Sequence, residues 1–136
     1  MNNLNKILKS LELHSIEYLK ASGNFYPFAS IMDKNKHISS VAFEPNVNIS
    51  DMISIIGDYI FTKLKSEEII VGGMAILQQF KSSDLIIDSI EYRILEVNGD
   101  ELYTYRPYYF NNNNLFISND LTEKPWEFNF VSVKKI

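Results

Sequence analysis

The sequence contains no cysteine, which excludes disulfide bonds, thiolate zinc sites, iron–sulfur clusters and cysteine nucleophiles. It has two arginines, Arg93 and Arg106, and no basic cluster of the kind that a phosphate backbone attracts, so nucleic acid is not an expected partner. No apolar run reaches the roughly 18 residues of a membrane span, and the charges within residues 1–21 do not fit a secretory signal. We therefore expect a soluble, cytoplasmic protein that binds no membrane.

Apolar residues make up 46% of the 136 positions and aromatic residues 13%, enough for a core that needs no metal or disulfide. We predict a single domain over residues 1–136. The formal net charge is −4 at pH 7, and residues 84–101 hold six carboxylates against one arginine. This acidic segment is either a solvated strand surface or a docking face for a basic partner, because such fields steer association.

Apolar residues at helical spacing predict two amphipathic helices. The first begins near residue 2 or 3 and ends at Gly23; the second is capped by Asn48 or Ser50 and ends near residue 66. Apolar or alternating runs predict strands at residues 25–32, 38–43, 69–80, 115–118 and 127–133, besides a hairpin around Asn98-Gly99. The pair Gly72-Gly73 inside a strand indicates a bulge or a close backbone approach.

These elements predict an α+β fold: one antiparallel sheet of about five to seven strands with two main helices, in the order α-β-β-α-β-β-β. Helices covering one face of the sheet are the economical arrangement. The same order of elements occurs in roadblock-type and longin/profilin-like domains. Because unrelated functions share folds, this likeness of topology predicts no activity.

Asn98-Gly99 is the sharpest local signal, because Asn-Gly supports the positive φ values of a two-residue type I′ turn. Counting outward from that turn predicts four opposed pairs: Ile94 with Tyr103, Tyr92 with Tyr105, Glu91 with Arg106, and Arg93 with Thr104. One face of the hairpin would then be aromatic and apolar, and the other would carry a charge pair.

No motif for catalysis, metal binding or cofactor binding is present. Carboxylates along the predicted hairpin, Asp84 and Glu91 above all, would serve a hydrolase if two of them converged in a pocket. His37, in the first hairpin turn, would need distant partners to hold a metal. We therefore assign no catalytic or metal-ligating residue and expect no cofactor.

Aromatic residues crowd the last third of the chain. Core packing accounts for most of them, but Tyr108 and Tyr109 are adjacent, so one of the pair points to each side of a strand. Exposed Tyr and Trp beside acidic residues are typical of protein-recognition surfaces. We predict a partner-binding site made of seven residues: Asp84, Asp88, Glu91, Arg106, Tyr108, Tyr109 and Trp126.

Two segments resemble a family of small bacterial proteins without an assigned function. Residues 23–29, Gly-Asn-Phe-Tyr-Pro-Phe-Ala, resemble that family's G-x-F-Y-P-F-[GA] segment. Ser83-Asp84, Glu91 and Arg106-Pro107-Tyr108 resemble its S-D…E…P-Y pattern. The resemblance implies a single-domain cytoplasmic protein and supplies no catalytic residue.

Three functions follow as hypotheses. The leading one is a non-enzymatic module that binds another, basic protein through the acidic and aromatic hairpin, for example an immunity protein that neutralises a toxin. The second is a roadblock-like scaffold that forms a homodimer through a helix or a sheet edge. The third is a hydrolase that uses carboxylates around Asp84 and Glu91, or a metal held by His37.

Overall fold

The computed structural model describes residues 1–45, 48–130 and 132–136, with the backbone alone at Ser82. Within these residues two α-helices accompany one seven-stranded antiparallel sheet, so the predicted α+β class is confirmed. The elements are α1 (Asn3–Ser22), β1 (Phe28–Asp33), β2 (Ile38–Val41), α2 (Ile49–Lys65), β3 (Ile69–Ser82), β4 (Leu85–Glu96), β5 (Glu101–Asn111), β6 (Asn114–Ser118) and β7 (Val133–Lys135). The strand order across the sheet is β2-β1-β3-β4-β5-β6-β7.

Both helices begin at asparagine caps, at the places where the sequence predicted that they start. The Asn2 side chain accepts a hydrogen bond from the Asn5 backbone N–H at 2.8 Å, and Asn48, not Ser50, caps α2. Each cap satisfies an amide that has no partner inside the helix. α1 ends at Gly23, whose φ of 76° is a left-handed conformation that glycine adopts without strain.

Strand boundaries differ most from the predictions at the start of β1 and in the last predicted strand. β1 begins at Phe28, directly after Pro27, whose missing N–H cannot contribute to a ladder. The strand predicted at residues 127–133 is wrong at residues 127–130 and 132, because Pro125–Glu127 forms a 3₁₀ turn and the strand begins only at Val133, as part of Val133–Lys135. Residue 131 lies outside the described residues.

The two helices pack on opposite faces of the sheet, which corrects the expectation that helices cover one face. A Cβ added at Gly72 would lie 2.6 Å from an Ile60 side-chain carbon of α2. A Cβ added at the next residue, Gly73, would lie 3.0 Å from side chains of both Ile7 and Leu11 of α1. The prediction of a close approach at the glycine pair is confirmed, and the β3–β4 register continues through it without a bulge.

Each face therefore has its own hydrophobic core. The α1 side buries, among others, Ile7, Leu11, Val71, Ile90 and Tyr92. The smaller α2 side buries Ala29, Ile56, Ile60, Leu64, Ile69, Met74 and Ile76. Neither helix in the described residues is long and apolar enough to cross a membrane.

The β4–β5 register is one residue away from the predicted one. Gly99 donates its N–H to the Glu96 carbonyl at 2.9 Å, and Glu96 donates to the Asp100 carbonyl at 2.8 Å. The loop therefore has three residues, with Gly99 at φ 95°, and not the two of a type I′ turn.

The observed pairs are Ile94 with Leu102, Tyr92 with Thr104, Glu91 with Tyr105, and Arg93 with Tyr103. Because opposed residues share a face, Tyr103 and Tyr105 lie on the α2 side with Glu91 and Arg93, away from Tyr92.

Candidate functional site

The seven residues predicted to form one contact site are divided between the two faces of the sheet. Asp88, Arg106 and Tyr108 lie on the α1 face, Glu91 and Tyr109 on the α2 face, Asp84 in the β3–β4 turn, and Trp126 in the 3₁₀ turn. Alternation within each strand explains the division, because Asp88 and Glu91, like the neighbours Tyr108 and Tyr109, point to opposite faces in any register. The one-residue change in register moves Arg106 and Tyr108 from the Glu91 face to the Asp88 face. The structure does not bring these residues together as one surface.

Arg106 is a core residue. Its guanidinium Nη2 donates to Glu12 Oε1 of α1 at 2.9 Å, and Nη1 donates to the carbonyls of Ser118 and Asn119 at 2.8 and 3.2 Å. The side chain thus ties α1 to β5 and to the end of β6. A buried arginine with this many partners positions other elements and is not free to contact a partner protein.

Tyr108 is also buried, against the same face. Burial, together with the negative charge of Asp88, raises the pKa of the Tyr108 phenol to about 12. Asp88 itself lies opposite Tyr108 and accepts a hydrogen bond from Gln79 Nε2 at 2.9 Å. These groups form a polar boundary of the α1-side core.

Glu91 lies on the α2 face, where its carboxylate pairs with the Arg93 guanidinium two residues along the strand. Glu91 is only 4% exposed, whereas the Arg93 side chain is 34% exposed, so the pair joins a buried carboxylate to a guanidinium that solvent reaches. Tyr105 stands opposite Glu91, and burial and then the Glu91 charge raise the pKa of its phenol. The hydrolase hypothesis required Asp84 near Glu91, but seven residues of extended chain separate the two by about 23 Å.

An aromatic cluster lies further along the α2 face. The ring of Tyr109 stacks on Phe116, with centroids 5.1 Å apart and planes at 5°, and Phe130 meets Tyr109 edge-on. The Trp126 ring lies 6.0 Å from Phe80, yet 41% of Trp126 stays exposed. Of the predicted aromatic contacts, Trp126 is the one that the structure leaves most accessible.

A groove of about 370 Å³ separates α2 from the β4–β5 hairpin. We call it the α2 groove; its lining includes Gly57, Asp58, Met74, Arg93, Glu101 and Tyr103. Gly57 lies on the helix side of the α2 groove, where an added Cβ would meet only Met74 Cε, at an ordinary van der Waals distance of 3.7 Å. Packing therefore does not require glycine at this helical position.

The α2 groove continues into a second hollow of about 470 Å³ at the β4–β5 turn, and the two share Leu95 and Glu101. Three large apolar side chains border this combined surface while exposed to solvent: Phe61 at 60%, Tyr103 at 52% and Val97 at 49%. The carboxylates Asp58 and Glu101 lie along the same border. The basic groups there are Lys65 and Arg93, and Arg93 is already paired with Glu91.

Sequence reasoning did not single out Phe61, Val97 and Tyr103 as exposed apolar residues. Phe61 fits the apolar periodicity of α2, and Tyr103 was placed on the aromatic face by the wrong hairpin register. A signal for Phe61 was available, because an apolar stripe that runs round a helix is wider than one sheet face can cover.

The histidines do not form a metal site within the part of the chain that the structure describes. Nδ1 of His37 lies 3.6 Å from an Asp33 carboxylate oxygen in the exposed β1–β2 turn. His14 contacts Ser40 and the Ser10 carbonyl on α1. No group of three potential ligands occurs among the described residues.

No protein-family model, curated protein or solved structure matches this chain. The resemblance of residues 23–29 and of the hairpin to a small bacterial family therefore stays a prediction, as does the likeness to roadblock-type domains.

Proposed function

We propose that this chain is a non-enzymatic, cytoplasmic protein-binding module whose α2 groove receives a basic segment of a partner protein. The observation that carries the proposal is the combined border of the α2 groove and the adjoining hollow, where exposed Phe61, Val97 and Tyr103 accompany the carboxylates Asp58 and Glu101. An immunity protein that neutralises a basic toxin is one biological form of such a module.

Phe61 and Tyr103 supply the apolar part of the interaction. Aromatic side chains are enriched among the few residues that dominate binding energy, because they bury a large area for little loss of side-chain freedom. Both are more than half exposed without a partner, so each has surface left to bury. Removing either ring should weaken binding by about tenfold or more.

Asp58 and Glu101, both exposed, supply the electrostatic part. Exposed carboxylates of one sign speed the encounter with a basic surface and exclude acidic proteins. Since such charges are screened over about 10 Å at 0.1 M salt, the complex should weaken as salt rises. The chain's formal charge of −4 also favours the encounter with a basic partner.

The test is an affinity capture from the lysate of the source cells, with matched variants of the tagged full chain. The wild type should retain a basic protein that about 0.5 M salt releases, and the double variant Phe61→Ala/Tyr103→Ala should lose it. Tyr26→Ala is the matched control, because Tyr26 is 55% exposed but lies in the α1–β1 connection. Circular dichroism checks that all three proteins are folded.

Two results would contradict the proposal. One is a partner that the double variant retains as well as the wild type does, which would move the contact away from the groove. The other is that no partner is captured by the wild type at low salt.

A further inference from the structure

The two edges of the sheet differ in how they are protected. β7, at one edge, carries Lys134 and Lys135, and exposed lysines are a common device against edge-to-edge pairing. β2, at the other edge, reads Ile-Ser-Ser-Val and has no charge within the strand. Among the described residues its only strand partner is β1. The β2 edge therefore lacks the protection that β7 has.

The hydrogen bonds of the β1–β2 hairpin show which groups of β2 point outward. Asp33 donates its N–H to the His37 carbonyl at 3.0 Å, so the backbone N–H and C=O of His37 point towards β1. The backbone groups of successive residues in an antiparallel strand point to opposite sides, so those of Ser39 and Val41 also point towards β1. Ile38 and Ser40 then direct their backbone groups away from the sheet, where they are free to pair.

We propose that the β2 edge binds β2 of a second copy of this chain, antiparallel, with Ser40 opposite Ser40 across a two-fold axis. In this register the outward-pointing residues face each other and exchange both backbone hydrogen bonds. The pairing is isologous, so one edge suffices for both copies and the assembly closes as a dimer. This surface is separate from the α2 groove and does not depend on the proposed function.

Charge favours a second copy over an unrelated strand. Lys36 lies four residues before Ser40 and Glu44 four residues after it. An antiparallel pair centred on Ser40 therefore brings Lys36 of each copy towards Glu44 of the other, twice. Both side chains are exposed in the single chain.

Apolar surface next to the edge fits the same arrangement. Ile38 of β2 is 42% exposed, and Leu13 of α1 is 59% exposed. They line one hollow of about 460 Å³ on the α1 side of the edge, together with Met1. A second copy placed against β2 would cover this hollow on both copies.

Sedimentation velocity of the full chain tests the proposal with charge variants at the axis. The wild type should form a particle of twice the 15.8 kDa chain mass. Ser40→Lys and Ser40→Glu should each dissociate at least about tenfold more readily, because like charges directly opposite each other repel. An equimolar mixture of the two variants should restore the dimer as a heterodimer.

Lys36→Glu and Glu44→Lys form an independent pair that leaves β2 itself unchanged, and their mixture should also restore the dimer. Lys134→Glu on β7 is the control and should sediment as the wild type does. A wild-type chain that stays monomeric at its highest attainable concentration would overturn the proposal. So would a dimer that neither charge pair alters, or one whose variants are folded by circular dichroism yet are not restored on mixing.

Discussion

Gly57 offers a direct test of how α2 packs. Glycine in a helix interior costs about 0.5–1 kcal/mol relative to alanine, because it loses more backbone freedom on folding. An added Cβ at Gly57 would meet only Met74 Cε, at 3.7 Å, which is an ordinary van der Waals contact. Nothing in the structure offsets the gain, so Gly57→Ala should raise the free energy of unfolding by about 0.5–1 kcal/mol, with Tm rising about 4 °C at the upper end.

Gly72→Ala is the matched comparison on the strand beneath α2. There the added Cβ would lie 2.6 Å from Ile60 Cγ2 and 3.1 Å from Ile69 Cδ1, so side chains must move. Such overpacking costs about 1–3 kcal/mol. Urea unfolding at neutral pH measures both variants. Loss of stability in Gly57→Ala, or none in Gly72→Ala, would refute the placement of α2 over β3 and the open wall of the groove.

Two further predictions concern the α1-side core. Glu12→Gln should lower the free energy of unfolding by about 2 kcal/mol, because it leaves the Arg106 guanidinium buried beside a neutral partner. Glu17→Gln, on the exposed side of α1, is the control and should change the free energy of unfolding by less than about 0.5 kcal/mol. Equal effects of the two variants would contradict a stabilising role for the Glu12–Arg106 pair. Burial raises the pKa values of Tyr92 and Tyr108, so the folded chain keeps both protons where unfolded tyrosines lose theirs. Stability should thus fall as pH rises from about 10 towards 12, by up to about 1.4 kcal/mol per pH unit for each phenol, and Tyr92→Phe should reduce that slope in urea titrations.

The β4–β5 hairpin shows where local sequence reasoning stops. Asn98-Gly99 predicted the position of the turn correctly, and Gly99 does adopt a positive φ. Asn-Gly is compatible both with a two-residue loop and with a three-residue loop that ends in a left-handed glycine. Packing of β5 selects between them: the observed register places Arg106 on the α1 face, where its Nη2 donates to Glu12 Oε1 at 2.9 Å. The predicted two-residue turn therefore placed Tyr103 and Tyr105 on the wrong face of the sheet.

The candidate site depended on the same contacts between distant residues. A count of acidic and aromatic residues marked the hairpin as a contact region, but it could not separate buried Tyr108 and Arg106 from exposed Tyr103. Phe61 belongs to α2, more than 30 residues before the hairpin turn that it borders. Its part in the surface follows from α2 lying beside β4 and β5, which no local pattern specifies.

The sequence by itself determined the α+β class, the position of both helices, the Gly23 stop, and the two alternatives at Gly72-Gly73, a bulge or a close approach. These depend on the spacing of apolar residues and on backbone preferences, which act over a few residues. Tertiary structure alone decided three features: the position of the helices on opposite faces, the register of β4 against β5, and the groove between α2 and the β4–β5 hairpin. Those depend on which distant side chains fit together, and a one-residue shift changes the face of every side chain in a strand.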